Sequence, residues 1–462
     1  MTTAAPSGNG IGAAMRPPRS AGARTLLPGA ELLGQAEGSG LREPPYLIRR
    51  SDGQVVQVSR LLYLVARHAE PNRDLSAIGR LAGHEMELRI TADQVRYLLD
   101  EKLHPLGVVT GPDGSMPRLE RVQPLFGLRH RTGVIRPAAV RWIARAFSPF
   151  FLPAVIAAVL ACLLAFDVWL VASHGIGRGL STVIQKPSLA LLLFFLAYAS
   201  LAFHEFGHAA ACRYGGGKPG AIGVGLYVVW PVFYTDVTDS YRFDKRGRLR
   251  TDLGGVYFNG IFALALAGLY LATGYEPLLL AVISQHLLVL DQFLPWLRLD
   301  GYYVVADLVG VADLFARIRP VVKTLMPGRR PDPRVEELKP WARRAVKIWV
   351  VTTVVALIGG AVLLFANAPR YIDRAWQSLQ VQTHLVAEGV RSADAFTTLA
   401  SGINVVMLFL PVAGFLLTYL MICRGVGGAL AVGQVRRAAS LAACRQPSSS
   451  APAYSAPQSP TG

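Results

Sequence analysis

Residues 189–214 read LALLLFFLAYASLAFHEFGHAAACRY. From Leu189 to Phe203 there is no charged residue, and the whole run is long enough to cross the ~30 Å hydrocarbon core of a bilayer as a helix. Its C-terminal third carries His204, Glu205 and His208. Ionisable groups inside an apolar span cost free energy unless they pair or face a wet cavity, so their presence marks a functional site by default. This stretch predicts a membrane protein with chemistry placed inside one of its helices.

Working outward, five more apolar runs approach the ~20 residues that a span needs. They are Phe150–Ala172, Val256–Thr273, Leu278–Leu297, Ile348–Ala366 and Ile403–Cys423, with Leu189–Cys212 second in order. Composition agrees: 52% of the 462 residues are hydrophobic and only 17% charged, too few to cover the surface of a soluble protein this size. The formal charge of +17 has two common readings, nucleic-acid binding or loops facing an anionic membrane. Placement decides, because the basic residues flank the apolar runs. Arg129, Arg131, Arg136, Arg141 and Arg145 precede the first run, Arg242–Arg250 follow the second, and Arg317–Lys347 follow the fourth. The alternate loops are poorer in Lys and Arg. By the positive-inside rule the rich loops are cytosolic. The expected fold is mainly α: a polytopic six-helix membrane bundle with both termini cytosolic, in a bacterial cell membrane, with no nucleic-acid partner.

The flanks read differently. Residues 1–40 are rich in Gly, Ala and Pro and lack the apolar segment of a secretory signal, which predicts a disordered leader. Residues 41–109 predict a cytosolic α+β, winged-helix-like domain. YLIRR-SDG-QVVQV is a hairpin pattern around a turn, and three runs with helical apolar spacing follow, the last capped by Thr91. Residues 110–147 are a basic juxtamembrane linker, 148–310 the membrane core, 311–347 a basic cytosolic loop, and 348–424 a C-terminal pair of spans. The Pro/Ser-rich tail, 425–462, is expected to be disordered. Four cysteines, with no CxxC spacing, predict neither a disulfide framework nor a thiolate metal site.

Residues i and i+4 lie about 40° apart around a helix, so His204 and His208 point the same way and can share one ion. Glu205 sits beside them, within reach of a water on that ion. This HExxH pattern is a signature of zinc hydrolases. A catalytic zinc needs three protein ligands and an open position. Asp300, in WLRLDGYY at the cytosolic mouth of the fourth span, lies by the topology at the depth of His204 and His208. Pro295 and Gly301 would break the helix there and turn the carboxylate inward. The stretch 215–236, GGGKPGAIGVGLYVVWPVFYTD, has too many glycines for a span and reads as a hairpin lining the site. Asn259 and His286 are polar intramembrane groups expected to make interhelical hydrogen bonds. Asp167 reads as a lone solvated acid, and His68, His84, His104 and His130 as surface or core histidines.

HEFGH followed by a Pro-containing segment and LDG resembles the site-2 protease family of intramembrane zinc metalloproteases, in its peptide zinc metalloprotease branch. PVFYTDVTDSYRF and WLRLDGYY carry the likeness further, over about Leu189 to Gly310. The resemblance implies Zn2+ held by His204, His208 and Asp300, with Glu205 as the catalytic carboxylate. Where the family has Asn three residues before the proline of the second motif, this chain has Gln292, the candidate substrate-positioning residue, whose extra methylene displaces the amide. The N-terminal domain is similar, more weakly, to winged-helix peptide-chaperone domains that hold leader peptides by strand addition.

The expected function is hydrolysis of peptide bonds in a peptide or membrane-protein substrate, including maturation of a ribosomally synthesised peptide alongside modifying enzymes or an exporter. Two alternatives stand beside it: a non-catalytic scaffold for peptide export, and a metal transporter.

Overall fold

The computed structural model describes residues 24–406 except 72, 118–128, 174–186, 228–229, 327, 329, 396 and 400, together with 409, 413, 414 and 417. Two units emerge: residues up to Gly225 with Val232–Tyr371, and Leu226–Pro231 with the residues from Ile372 onward.

The first unit opens with a sheet of three antiparallel strands, β1 (Glu31–Gln35), β2 (Tyr46–Arg49) and β3 (Val55–Val58), in that order. The β2–β3 hairpin is the one the sequence predicts. Gly53 takes φ +83° in its turn, where a Cβ would be strained. Asp52 accepts from the Gln54 amide at 3.1 Å and holds Arg50 at 2.6 Å. β1 corrects the expected leader boundary, since residues from Arg24 onward belong to the domain. Gly34 sits where the β1–β2 register shifts, so a five-residue strand with an irregularity left too weak an alternation to be legible.

Helices α1 (Arg60–His68), α2 (Leu75–Met86) and α3 (Ala92–Tyr97) begin at side-chain caps Ser59, Asp74 and Thr91. Thr91 forms a reciprocal capping box with Gln94, satisfying two otherwise orphaned amides. α3 runs on into a π-helical turn, Leu98–Leu103. Ile48, Val65, Ile78, Val95, Leu99 and Leu103 close the domain's core. Glu85 clasps α1 to α2 through His68 Nε2 (2.9 Å) and Arg67, and these partners hold its carboxyl below the usual range. His84 and His130 are exposed, while His104 Nδ1 meets the Val109 carbonyl at 3.2 Å.

The expected linker is itself structured, with β4 (Arg129–Ile135) and α4 (Pro137–Phe147). Pro137 starts α4 where its missing N–H costs nothing. The buried face of α4, Val140 and Ala144, packs with Ala209 and Ile222. Then come α5 (Pro153–Ser173), α6 (Pro187–Tyr214), the strands β5 (Ile222–Tyr227) and β6 (Trp230–Thr235), and α7 (Lys245–Thr273). They are followed by α8 (Pro277–Gln292), α9 (Asp300–Val309), α10 (Phe315–Leu325), α11 (Pro333–Glu336) and α12 (Pro340–Arg391).

The protein is thus mostly helical with a small sheet domain. Among the described residues, three helices are long and apolar enough to cross a membrane: α5, α7 and the Pro340–Leu363 part of α12. α8 has 16 residues and ends at Gln292, short of the expected Leu297. Residues 311–347, expected as a loop, contain α10 and α11, which bury Val321 and Val335. The fifth expected span ends at Ala366, whereas α12 continues to Arg391 through Pro369. Between Arg370 and Glu388 no Gly or Pro interrupts helix formation, which the drop in hydropathy concealed. The sixth expected span, Ile403–Cys423, lies for the most part outside the described residues, as does the tail.

α6 and α7 meet at glycines. A Cβ on Gly254 would lie 2.6 Å from the Gly207 carbonyl oxygen and 2.9 Å from the Ala211 Cβ. One on Gly255 would strike the His204 ring. Small residues let the two backbones approach closely enough for α7 to touch the histidine face of α6.

The β1–β2 connection docks on the ends of α9 and α12. Gly40 N donates to Gly310 O (2.9 Å), Lys339 N to Gly40 O (2.8 Å) and Arg42 N to Glu337 O (2.8 Å). Arg248, at the start of α7, donates to Glu37 O (3.0 Å) and to Asp307 (3.1 Å). β1 also joins the short helical turn after β6: Glu31 pairs with Arg242, and Arg242 with Asp239 at 2.8 Å.

Gly254→Ala should force α6 and α7 apart, lowering the melting temperature of the purified protein by several degrees and its metal content with it. Gly268→Ala, where a Cβ meets nothing within 4 Å, should leave both unchanged or raise stability slightly. Equal behaviour of the two variants in thermal unfolding would refute the close crossing.

Candidate metal centre

His204 and His208 stand on successive turns of α6, with their Nε2 atoms 3.0 Å apart. Asp300, the first residue of α9, brings Oδ2 to 3.1 Å from His204 Nε2 and 3.5 Å from His208 Nε2. The trio is the one group of its kind among the described residues. All three side chains are mostly buried.

Hydrogen bonding on the far side of each ring fixes what faces inward. His208 Nδ1 lies 2.8 Å from the Thr251 carbonyl oxygen. His204 Nδ1 lies 2.6 Å from Asn259 Oδ1, and the amide is oriented by its Nδ2 donating to Ser200 Oγ at 2.7 Å. Carbonyl oxygens only accept, so each Nδ1 carries the proton and each Nε2 presents a lone pair. Two lone pairs and a carboxylate oxygen thus converge within hydrogen-bond distance of one another. Asp300 Oδ2 is buried and receives no hydrogen bond. Such a cluster is repulsive unless a proton or a metal cation sits in its midst.

The geometry fits an ion. A circle through the three atoms has a radius of about 1.9 Å, so one ion can reach all three at the ~2.0–2.2 Å of zinc-type bonds to imidazole and carboxylate. Imidazole protons handed to backbone or amide oxygens are the usual orienting partners of metal-ligating histidines.

Asp300 arrives by the break that the sequence predicts. α8 stops at Gln292 and α9 starts at Asp300. Trp349 Nε1 donates to Pro295 O at 2.9 Å, and Arg298 pairs with Asp313 at 2.8 Å, pinning the connection. A Cβ on Gly301 would strike the Phe293 carbonyl, so only glycine lets the chain fold back this tightly.

Glu205 is buried and follows His204 in sequence but is not one of the converging donors. Its Oε2 accepts from Thr235 Oγ1 at 2.7 Å, and the same hydroxyl lies 3.0 Å from the Glu205 carbonyl. Thr235 ends β6, the outer strand of a sheet ordered β4-β5-β6. The hairpin's base is closed by Gly220 N to Asp236 O (2.7 Å) and Asp236 N to Ala221 O (3.0 Å). The hairpin expected over 215–236 is therefore present, and its last strand touches the site.

Gln292 is buried at the end of α8 with Oε1 unpartnered, and it is not among the converging donors. Asn259 was legible as an interhelical hydrogen-bonder, but its partner, a candidate ligand, was not. The signal was there: Gly255 and Asn259 lie one turn apart on α7, a small residue and an amide on one face. Thr235 had no signal beyond its place in the hairpin. Asp167 is corrected from a lone acid, since it pairs with His286 Nε2 at 3.2 Å, while His286 Nδ1 meets Val282 O at 2.9 Å.

No protein-family model, curated protein or solved structure matches the chain.

Asp300→Ala should remove one of three donors and strip most of the metal from purified protein, measured by elemental analysis. Full occupancy in that variant would remove Asp300 from the ligand set. Asn259→Leu should weaken metal affinity about 10- to 100-fold while the protein still folds. Competition against a chelating dye reads that shift, and an unchanged affinity would deny Asn259 its orienting role.

Proposed function

We propose that the protein is a zinc-dependent endopeptidase of site-2 protease type, hydrolysing peptide bonds of a peptide or membrane-associated substrate. The observation that carries this reading is the convergence of His204 Nε2, His208 Nε2 and Asp300 Oδ2, with Glu205 on the same helix as the two histidines. Zinc held by these donors supplies Lewis acidity, which makes water a nucleophile at neutral pH and polarises the scissile carbonyl.

The chain's own residues do the rest. The Thr235 hydroxyl occupies Oε2 of Glu205, leaving Oε1 to take a proton from the attacking water. Glu205 then hands that proton to the leaving amine, acting first as base and then as acid. Nδ1–H bonds to Asn259 and Thr251 keep both imidazoles from turning away. β6, at the outer edge of its sheet, offers backbone groups to an unwound substrate by strand addition. Gln292 stands at the end of α8 as the candidate group for orienting that substrate.

In this reading six spans with both termini in the cytosol set the site near the inner face of a bacterial cell membrane. The N-terminal α+β domain holds a cytosolic peptide precursor, and modifying enzymes or an exporter are its functional neighbours. A transporter would need ligands at successive depths, whereas a single such group, His204, His208 and Asp300, converges among the described residues.

Glu205→Gln should keep its metal and lose cleavage of any substrate by about 10²–10⁴-fold or more. Unchanged processing would end the catalytic assignment. Thr235→Val should retain metal and lower kcat, with little change in KM; a normal kcat would show that the hydroxyl does not position the carboxylate. A reporter fused after Ser392 should read out as extracytosolic, and a cytosolic signal would overturn the span count.

A further inference from the structure

The two faces of α4 (Pro137–Phe147) differ in character. Inward, Val140 and Ala144 pack with Ala209, the residue after His208. Phe147 extends that face, stacking on Phe206 with ring centroids 6.2 Å apart and meeting Phe203 edge-on at 5.6 Å. The helix thus braces the turn of α6 that carries the two histidines. Outward, the Trp142 side chain is 72% exposed, and Arg141 and Arg145 are exposed beside it.

A single exposed aromatic is ordinary on a protein surface. This one comes with two cations that nothing in the described protein neutralises. Residues i and i+4 are neighbours on a helix, so the guanidinia of Arg141 and Arg145 repel each other. Among the described residues neither has an ion pair or a hydrogen-bond acceptor, and Arg145 merely lies over the Trp142 ring, 5.8 Å from its centroid. Nor does the neighbouring sequence offer a carboxylate, since no Asp or Glu occurs between Glu120 and Asp167.

Placement selects the missing anion. Only a short 3-10 turn, Ser148–Phe151, and Leu152 separate α4 from Pro153, the first residue of α5. α5 is the most apolar of the three helices long enough to cross a membrane. Where α5 enters a bilayer, α4 is held at the headgroup layer, which indole rings favour.

We propose that the outward face of α4 binds an anionic phospholipid, with Arg141 and Arg145 sharing its headgroup phosphate and Trp142 seated beside the glycerol backbone. Guanidinia match phosphate oxygens in geometry as well as in charge. A zwitterionic headgroup brings its own ammonium, which the two arginines repel. A nucleic acid or an acidic peptide would answer the charge but has no reason to sit where a span begins. Bound lipid holds α4 at the membrane surface and, through Ala209 and Phe206, fixes the depth of the histidine-bearing turn of α6. The site requires α5 to cross a bilayer and owes nothing to peptide hydrolysis.

The test uses full-length protein in dodecyl maltoside, titrated with dioctanoyl phosphatidylglycerol or dioctanoyl phosphatidylcholine, with bound lipid counted by native mass spectrometry. Phosphatidylglycerol should bind more tightly. The double variant Arg141→Gln, Arg145→Gln should lower its affinity about 10- to 30-fold, to the level of phosphatidylcholine, whose own affinity stays unchanged. Removing two other exposed arginines, by Arg330→Gln and Arg344→Gln, should leave both lipids binding as before. An equal loss in the two double variants would reduce the effect to net charge and overturn the site. Equal affinities of the unsubstituted protein for the two lipids would do the same. Displacement of phosphatidylglycerol by equimolar glycerol 3-phosphate, oligonucleotide or polyglutamate would also overturn it, handing the arginines to a soluble anion. Position is read separately in nanodiscs containing phosphatidylglycerol. The component of tryptophan fluorescence lost on Trp142→Phe should be quenched more strongly by lipids brominated near the headgroup than by lipids brominated near the chain ends. A component that neither lipid quenches would set α4 apart from the bilayer and sink the proposal.

Discussion

Two imidazole lone pairs and a carboxylate oxygen, held 3.0–3.5 Å apart in a mostly buried pocket, set the constraint around which the rest is arranged. Left to themselves these atoms would turn away or pick up protons. They are kept from turning by acceptors behind them, the Thr251 carbonyl and the Asn259 amide, both on α7. α7 in turn reaches that position only because Gly207, Gly254 and Gly255 leave no side chain in the crossing. The third donor depends on a separate device, the break between α8 and α9 with Gly301 folded against Phe293. Short features of α6, α7, α8 and α9 therefore serve one electrostatic end.

Much of this was legible in the sequence, and unevenly so. HExxH fixes relative geometry by itself, because helical periodicity dictates where its two histidines point. Asp300 needed an expected topology, a matter of which spans end on which side, read from the charge pattern of the loops. Pro295 and Gly301 announced the break, though not that α8 would end as early as Gln292. What escaped was whatever depends on a partner distant in sequence. Asn259 looks like any polar group in a span until His204 is seen beside it, and Asp167 looks solitary until His286 is. β1 escaped for a different reason, being five residues long with an irregular register, where alternation carries little information. The continuation of α12 to Arg391 escaped because hydropathy, the guide to spans, says nothing about a polar helix.

The β5–β6 hairpin ties the parts together. Its outer strand ends on Thr235, whose hydroxyl meets the Glu205 carboxylate, and one turn later Asp239 and Arg242 engage the N-terminal sheet. Arg49, Glu31, Arg242 and Asp239 alternate in sign, so each charge has an opposite neighbour. Ion pairs this exposed add little stability singly. Their alternation instead fixes orientation, so the sheet and the turn following the hairpin share one frame.

The seating of Gly40 between Val309, Gly310 and Ala342 has a consequence for recombination. A domain joined by a slack tether can be exchanged between proteins by cutting the tether anywhere. Here the connection between the first two strands is itself wedged under the ends of α9 and α12, through backbone bonds to Gly310, Glu337 and Lys339. A chimera carrying a foreign N-terminal domain would have to import matching residues from both distant segments. Swaps made at the apparent boundary alone would leave a mortise with no tenon.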